Sequence, residues 1–146
     1  MEKFKQLNVW RKAHRLVLEV YRVTKKFPDE ERFALVSQMR RAAISVPANI
    51  AEGAKRNTTK DRKHFHNISD TSLEELKYYF VLSFDLGYIT QEEGEKLTEQ
   101  AREIGKMLSG LNKKLWCFMA ASGSERIWLM AVRLGSPGFR SGCPRT

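Results

Sequence analysis

The sequence predicts an all-α protein built as an antiparallel, up-down-up-down four-helix bundle. Three observations lead there. Apolar residues recur at three- and four-residue spacings in four separate segments. No segment shows the two-residue alternation of a strand, and the breaks between segments are short and carry Pro, Asn, Thr or Gly. Short connections place consecutive helices side by side and antiparallel. With 146 residues, 42% hydrophobic and 29% charged, the chain suits a single packed domain.

The first helix is expected from about Asn8 to Lys26. At 100° per residue, Val9, Trp10, Ala13, Leu16, Val17, Val20, Tyr21 and Phe27 gather on one side, and Arg11, Arg15, Arg22 and Lys26 on the other. Phe27-Pro28 ends it, because proline disfavours helical geometry in the residue before it. The second helix is expected to open at Asp29-Glu30-Glu31, where carboxylates suit the positive end of a helix dipole. Its stripe runs through Val36, Met39, Ala43, Val46, Ile50 and Ala54. The pattern resumes in phase after Pro47, which predicts a second helix kinked at Pro47 rather than broken there. Small residues at 42, 43, 45, 48, 51, 53 and 54 allow a neighbouring helix to approach closely, and Asn49 and Glu52 in such a seam call for hydrogen bonds.

Thr58 and Asp61 resemble a capping box that opens the third helix. Phe65, Ile68, Ser72, Leu76, Tyr79, Phe80, Ser83 and Leu86 form its inner face. Between Leu76 and Leu86, Tyr78, Val81, Leu82 and Phe84 spread apolar surface around most of the helix, which predicts contact with a neighbouring subunit as well as with the bundle. Gly87 is placed for a left-handed cap, and Thr90 with Glu93 forms a second capping box. The fourth helix carries Leu97, Ala101, Ile104, Leu108, Leu111 and Leu115 at alternating spacings of four and three, a narrow bundle seam. The bundle is therefore assigned to 1–115. Residues 116–146 read as a C-terminal appendage, poorly structured or holding one short helix near 127–134.

Lys and Arg total 26 against 17 Asp and Glu, a formal charge of +9. Residues 1–27 hold eight cations and two acids, so the first helix region supplies +6 of that excess. Exposed helix faces usually mix signs, since opposite charges four residues apart stabilise the helix. The fourth helix does so, with five of each between Tyr88 and Leu115. The first helix does not, and Arg11, Lys12, Arg15, Arg22, Lys25 and Lys26 are the leading candidates for phosphate contacts. Arg40, Arg41, Lys55 and Arg56 form a second tier. Aromatic residues Tyr78, Tyr79, Phe80 and Tyr88 could stack bases, but their helical spacing favours packing.

Nothing in the sequence resembles a catalytic constellation. Cys117 has no evident base, the carboxylates read as caps and surface pairs, and no glycine-rich phosphate loop is present. No cofactor and no metal are expected. His64 and His66 are two apart and point to different helix faces, and His14 stands alone. No apolar run is long enough to span a membrane, and the opening residues lack a signal peptide's apolar core, so a cytoplasmic location is expected.

Several stretches resemble a known family. Leu7-Asn8-Val9-Trp10-Arg11-Lys12-Ala13-His14, Phe27-Pro28 with Glu31, and above all Ser37-Gln38-Met39-Arg40-Arg41-Ala42-Ala43-Ile44-Ser45-Val46-Pro47-Ala48-Asn49-Ile50-Ala51-Glu52-Gly53 are similar to the bacterial four-helix bundle proteins encoded in intervening sequences of large-subunit ribosomal RNA genes. Ser72-Leu73-Glu74-Glu75-Leu76 and Leu86-Gly87-Tyr88-Ile89 match too, so the resemblance spans roughly 4–115. It implies a ring-like homopentamer. It also implies kinship with the accessory variability proteins of diversity-generating retroelements, which bind nucleic acid through basic surfaces and associate with a reverse transcriptase. Asn67-Ile68-Ser69-Asp70-Thr71 departs from the smaller, more apolar residues usual there, and the tail after Leu115 matches nothing in the family.

The function expected from these readings is a non-enzymatic, oligomeric nucleic-acid-binding bundle, on RNA or DNA, associated with ribosomal RNA or a reverse transcriptase complex. The alternative is a protein–protein scaffold that binds an acidic protein partner without nucleic acid.

Overall fold

Four helices form where apolar residues recur at helical spacing. In the computed structural model, which describes residues 2–121 with side chains through Cys117, these are α1 (Asn8–Thr24), α2 (Leu35–Lys55), α3 (Thr59–Asp85) and α4 (Gln91–Ala121), with short 3-10 turns at Lys3–Gln6 and Asp29–Glu31. Among the described residues there is no strand. Each helix packs against two others, α1 on α2, α2 on α3, α3 on α4 and α4 back on α1. The core lies between them. Val9, Ala13, Leu16 and Val20 of α1 meet Met39, Ala43, Val46 and Ile50 of α2, Leu73, Leu76 and Phe80 of α3, and Leu97, Ala101, Ile104 and Leu108 of α4.

Polar contacts fix the register and show that neighbours run antiparallel. Between α2 and α3, the Ser45 and Ser72 hydroxyls share a hydrogen bond of 2.9 Å, Ser69 Oγ donates to the Val46 carbonyl at 3.1 Å, and Ser83 Oγ lies 3.5 Å from Met39 Sδ. Asn49 resolves its half-buried position by donating to the carbonyl and hydroxyl of Ser45, while Glu52 faces solvent and pairs with Arg56. Between α3 and α4, His66 Nδ1 lies 2.9 Å from Asn112 Oδ1, and Asn112 Nδ2 donates to Asn67 at 3.3 Å. The polar residues Asn67, Ser69 and Thr71 before Ser72 thus take part in helix pairing and in helix bonding, Thr71 donating to the Asn67 carbonyl at 2.9 Å.

Along the α1–α4 edge runs a ladder of ion pairs. Lys12, Glu19 and Lys26, seven residues apart, point along α4 and meet Glu103, Lys96 and Glu93 in reverse order; the Lys26–Glu93 contact is 2.7 Å and the Lys96–Glu19 contact 3.8 Å. Arg22 also reaches Glu19, at 2.8 Å. The hydrogen bond from Lys26, with that from the Thr90 amide, holds the Glu93 carboxyl below its usual range. Arg22 does the same for Glu19, aided by the positive charge of Lys96.

The ends of the helices follow local chemistry. Thr90 and Glu93 form the expected reciprocal capping box, both bonds at 3.2 Å. At the α3 start, Thr58 Oγ1 accepts from the Asp61 amide at 3.1 Å but also donates to the Asp61 carboxylate at 2.6 Å, so the cap is built around the hydroxyl. Gly87, at φ +77°, closes α3, with its own amide on Phe84 and the Tyr88 amide on Ser83, both at 2.9 Å.

Two boundaries differ from expectation. Asp29–Glu31 is a separate turn, not the first turn of α2, because Ala34 adopts φ −108°, ψ −105° and interrupts the chain between them. Glu31 still serves α2, since its carboxylate accepts from the Leu35 amide at 3.2 Å. α4 continues to Ala121, past the expected end at Leu115; residues 116–121 contain neither Gly nor Pro to stop it. The rest of the proposed appendage, including its short helix and Cys143, lies outside the described residues. Pro47 is buried inside α2, which is one continuous helix through it.

A Cβ at Gly87 would meet nothing within 4 Å, so the cost of Gly87→Ala is one of backbone geometry alone. We expect a loss of about 1 kcal/mol, read as a Tm lower by a few degrees. The depressed carboxyls of Glu93 and Glu19 stabilise the fold above the unfolded carboxyl pKa of about 4.3, and that contribution is lost as pH falls through their lower folded values. Thermal unfolding followed between about pH 5 and 2 should show this decline, and Glu93→Gln should shrink it while leaving stability above pH 6 less than that of the parent.

Candidate nucleic-acid interface

An α-helix docked by one face leaves the opposite face to solvent, and on α1 that face is a ridge of Arg11, Arg15, Leu18, Arg22 and Lys25, spaced four, three, four and three. All five side chains are exposed. Leu18 is 57% exposed in the middle of the ridge, an apolar residue surrounded by cations. Arg11 Nε donates to the Lys5 carbonyl at 2.9 Å, which ties the preceding turn to the helix. Arg15 and Lys25 have no ion pair among the described residues.

The six cations assigned to α1 therefore divide into two sets. Arg11, Arg15, Arg22 and Lys25 point outward, with Arg22 held by Glu19. Lys12 and Lys26 do not share that ridge; they lie along the α4 edge and are neutralised by Glu103 and Glu93. A wheel of one helix displays only its own acids, and here the neutralising carboxylates come from residues 67 and 91 positions away.

The second tier divides as well. Arg40 is half-buried and turned toward α1, where its Nε donates to Thr24 Oγ1 at 3.0 Å and its guanidinium lies 4.6 Å from the centre of the Tyr21 ring. It joins α1 to α2 through these contacts. Arg41 is exposed on the outer side of α2 without an ion pair among the described residues, and its charge acts on the nearby Tyr79. Lys55 is exposed at the end of α2. Arg56 pairs with Glu52, lies 4.8 Å from the Phe65 ring centre, and offers its carbonyl to Arg62 Nε at 2.8 Å.

Of the four aromatic residues considered for base stacking, three are taken up by packing or hydrogen bonds. Phe80 is buried, Tyr79 is half-buried and donates to Glu75 at 2.6 Å, and Tyr88 packs at 5.1 Å on Phe27 and donates to Glu31 at 3.1 Å. The Glu75 hydrogen bond raises the Tyr79 hydroxyl above its usual pKa, and for Tyr88 burial does so first, followed by Glu31. Tyr78 alone of the four is largely exposed. The half-buried flank of α1 instead carries a row the spacing did not single out. Phe4 lies 5.1 Å from Trp10, and Trp10 stacks on the exposed His14 ring at 5.1 Å and an interplanar angle of 6°.

Lys3, Arg62 and Lys114 were not among the sequence candidates, and they meet at one end of the bundle, where α2 gives way to α3. Only folding joins them, since they lie on the first turn, α3 and the far part of α4. His66 is buried on α3 and His64 is exposed, and among the described residues no group of three potential metal ligands comes together. No described helix is long and apolar enough to cross a membrane.

Comparison with known proteins agrees with this architecture. A crystal structure described as a protein with unknown function from the S23 ribosomal protein family of Bacteroides thetaiotaomicron superposes with a TM-score of 0.67 at 26% identity. The match covers 72% of this chain and 98% of that one. No curated protein matches. The family described as 23S rRNA-intervening sequence protein matches residues 5–110, and the chain belongs to that family.

Proposed function

We propose that the protein is a non-enzymatic, oligomeric bundle that binds RNA or DNA, working with ribosomal RNA or a reverse transcriptase complex. The observation that carries this reading is the outward ridge of α1, where Arg11, Arg15 and Lys25 face solvent with no carboxylate partner among the described residues. Arg41 and Lys55 extend the unpaired charge onto α2. Side chains spaced along a ridge contact successive phosphates and contribute affinity with little sequence preference. The family's description, which ties it to intervening sequences of 23S rRNA, favours RNA.

Self-association is supported by apolar surface that the single chain leaves uncovered. Tyr78, Val81 and Phe84 are 61%, 55% and 45% exposed on the second half of α3, and Ile44 is exposed on α2. Contiguous patches of this kind mark interfaces between molecules. A homopentamer, as the family resemblance implies, would cover them. Val81→Glu should leave the helical signal intact and lower the mass measured by light scattering, because the side chain has little to lose within one subunit.

The binding reading is tested by titrating the full chain with single-stranded RNA over a range of salt. Replacing Arg15 and Lys25 together by Gln should flatten the slope of log affinity against log salt by about 1.4, roughly 0.7 for each phosphate that is no longer neutralised. Replacing Lys12 and Lys26 by Gln should leave the slope nearly unchanged, since α4 already neutralises both. An unaltered slope in the first variant would make the ridge an ordinary solvated face. An acidic protein partner would then be the remaining polyanion to test.

A further inference from the structure

A cleft of about 670 Å³ opens at the end of the bundle where α2 passes into α3. Its floor is apolar, formed by Leu7, Leu111 and Leu115, and the small residues Gly53 and Ala54 leave the space open. Lys3, Arg62 and Lys114 stand on its walls, and no carboxylate lines it. His66 is also part of the wall. It is only 8% exposed, its Nδ1 is engaged by Asn112, and its Nε2 has no hydrogen-bond partner among the described residues. A second cleft of about 750 Å³ adjoins the first through Lys3, Ala54, Asn57 and Arg62, and adds Glu2, Phe4, Lys5, Lys55 and Arg56, of which Arg56 is paired with Glu52.

We infer that this end of the bundle holds a nucleoside monophosphate unit, with the base on the leucine floor and the phosphate among Lys3, Arg62 and Lys114. The volume lies within the range of small-ligand sites, and an apolar floor with a few convergent polar groups is their usual construction. His66 Nε2, which has no hydrogen-bond partner among the described residues, supplies a polar contact for the base or ribose at the cleft wall. The adjoining cleft, where Lys5 and Lys55 outnumber Glu2, favours a nucleotide over a simple amphipathic anion, because those two lysines offer positive charge to a following phosphate of the same strand. The unit is either a free nucleotide or the 5′-phosphorylated end of a strand; only the second rests on the nucleic-acid reading above.

The test uses the full chain and two pairs of probes: AMP against adenosine, and one oligoribonucleotide with a 5′-phosphate against the same strand with a 5′-hydroxyl. Charge-assisted hydrogen bonds to the phosphate should make the phosphorylated member of the relevant pair bind about tenfold more tightly. Ala54→Trp, which fills the cleft from an exposed position, and Lys114→Gln should each remove that preference while circular dichroism remains that of the parent. A preference confined to AMP identifies a free-nucleotide site, and one confined to the strand identifies a strand end. Equal binding within both pairs, or a preference that survives both variants, overturns the inference. In that case tight, salt-dependent binding of both strands would leave the α1 ridge reading untouched, whereas AMP selectivity without strand binding would sink the ridge and keep the cleft.

Discussion

The close approach of α2 to α3 is the constraint on which the other packing relations depend. Ser45 on Ser72 at 2.9 Å and Ser69 on the Val46 carbonyl at 3.1 Å require two backbones near each other, and small side chains on α2 permit it. At Gly53 the space is nearly used up, since a Cβ there would lie 3.2 Å from Phe65 Cβ. A buried hydroxyl without a partner is costly, so these bonds also reject other registers of the two helices. With α2 and α3 fixed, His66 of α3 finds Asn112 of α4, and Arg40 of α2 finds Thr24 and Tyr21 of α1. The α1–α4 ladder then closes the square. Its pairs are exposed and individually weak, about 0–1 kcal/mol each, so their work is more in registry than in stability.

The segments shared with the family occupy these joints. Phe27 and Glu31 belong to one stretch of the resemblance and Tyr88 to another, and they meet at one end of the bundle, where rings pack at 5.1 Å and a hydroxyl reaches a carboxylate at 3.1 Å. Ser45, Asn49 and Gly53 line the α2–α3 seam, facing Ser72 and Phe65. These residues therefore identify the architecture. The outward cations Arg15 and Lys25 fall between the stretches of the resemblance but inside the matched residues 5–110, whereas Lys3 and Lys114 at the end cleft fall beyond them. Membership of the family speaks to how the bundle is built, and the ligand must be argued from the surfaces of this chain.

What the sequence disclosed divides along the same line. Helical spacing located each element because burial acts on every turn, and Val9, Met39, Phe80 and Ile104 are buried as their positions required. Capping pairs three residues apart were legible because their partners are local. The start of α2 was not, since the unusual backbone of Ala34 leaves no mark in residue type. Long-range charge was the largest loss. Lys12 and Lys26 look equivalent to Arg15 and Lys25 on a wheel of α1, and only the position of α4 separates them. The contacts of Arg40 were hidden for the same reason, because Tyr21 and Thr24 stand 19 and 16 residues before it. The end cleft was invisible for a related one, as Lys3, Arg62 and Lys114 share no local pattern.

Neutralisation along the α4 edge changes the distribution of charge more than its total. The formal +9 is unaltered by any pairing, but pairing removes the local field from one flank of α1 and leaves it on the ridge and at the α2–α3 end. Unpaired cations grouped in this way attract a polyanion over distances comparable to the screening length, about 8–10 Å in physiological salt. Arg11 and Lys5, linked by a hydrogen bond of 2.9 Å, lie where the ridge approaches the end cleft, since Lys5 lines the second of the two clefts. The two surfaces thus meet at that corner. A strand whose terminal nucleotide sat in the cleft could continue along the second cleft and onto α1 without crossing the paired charges of the α1–α4 edge.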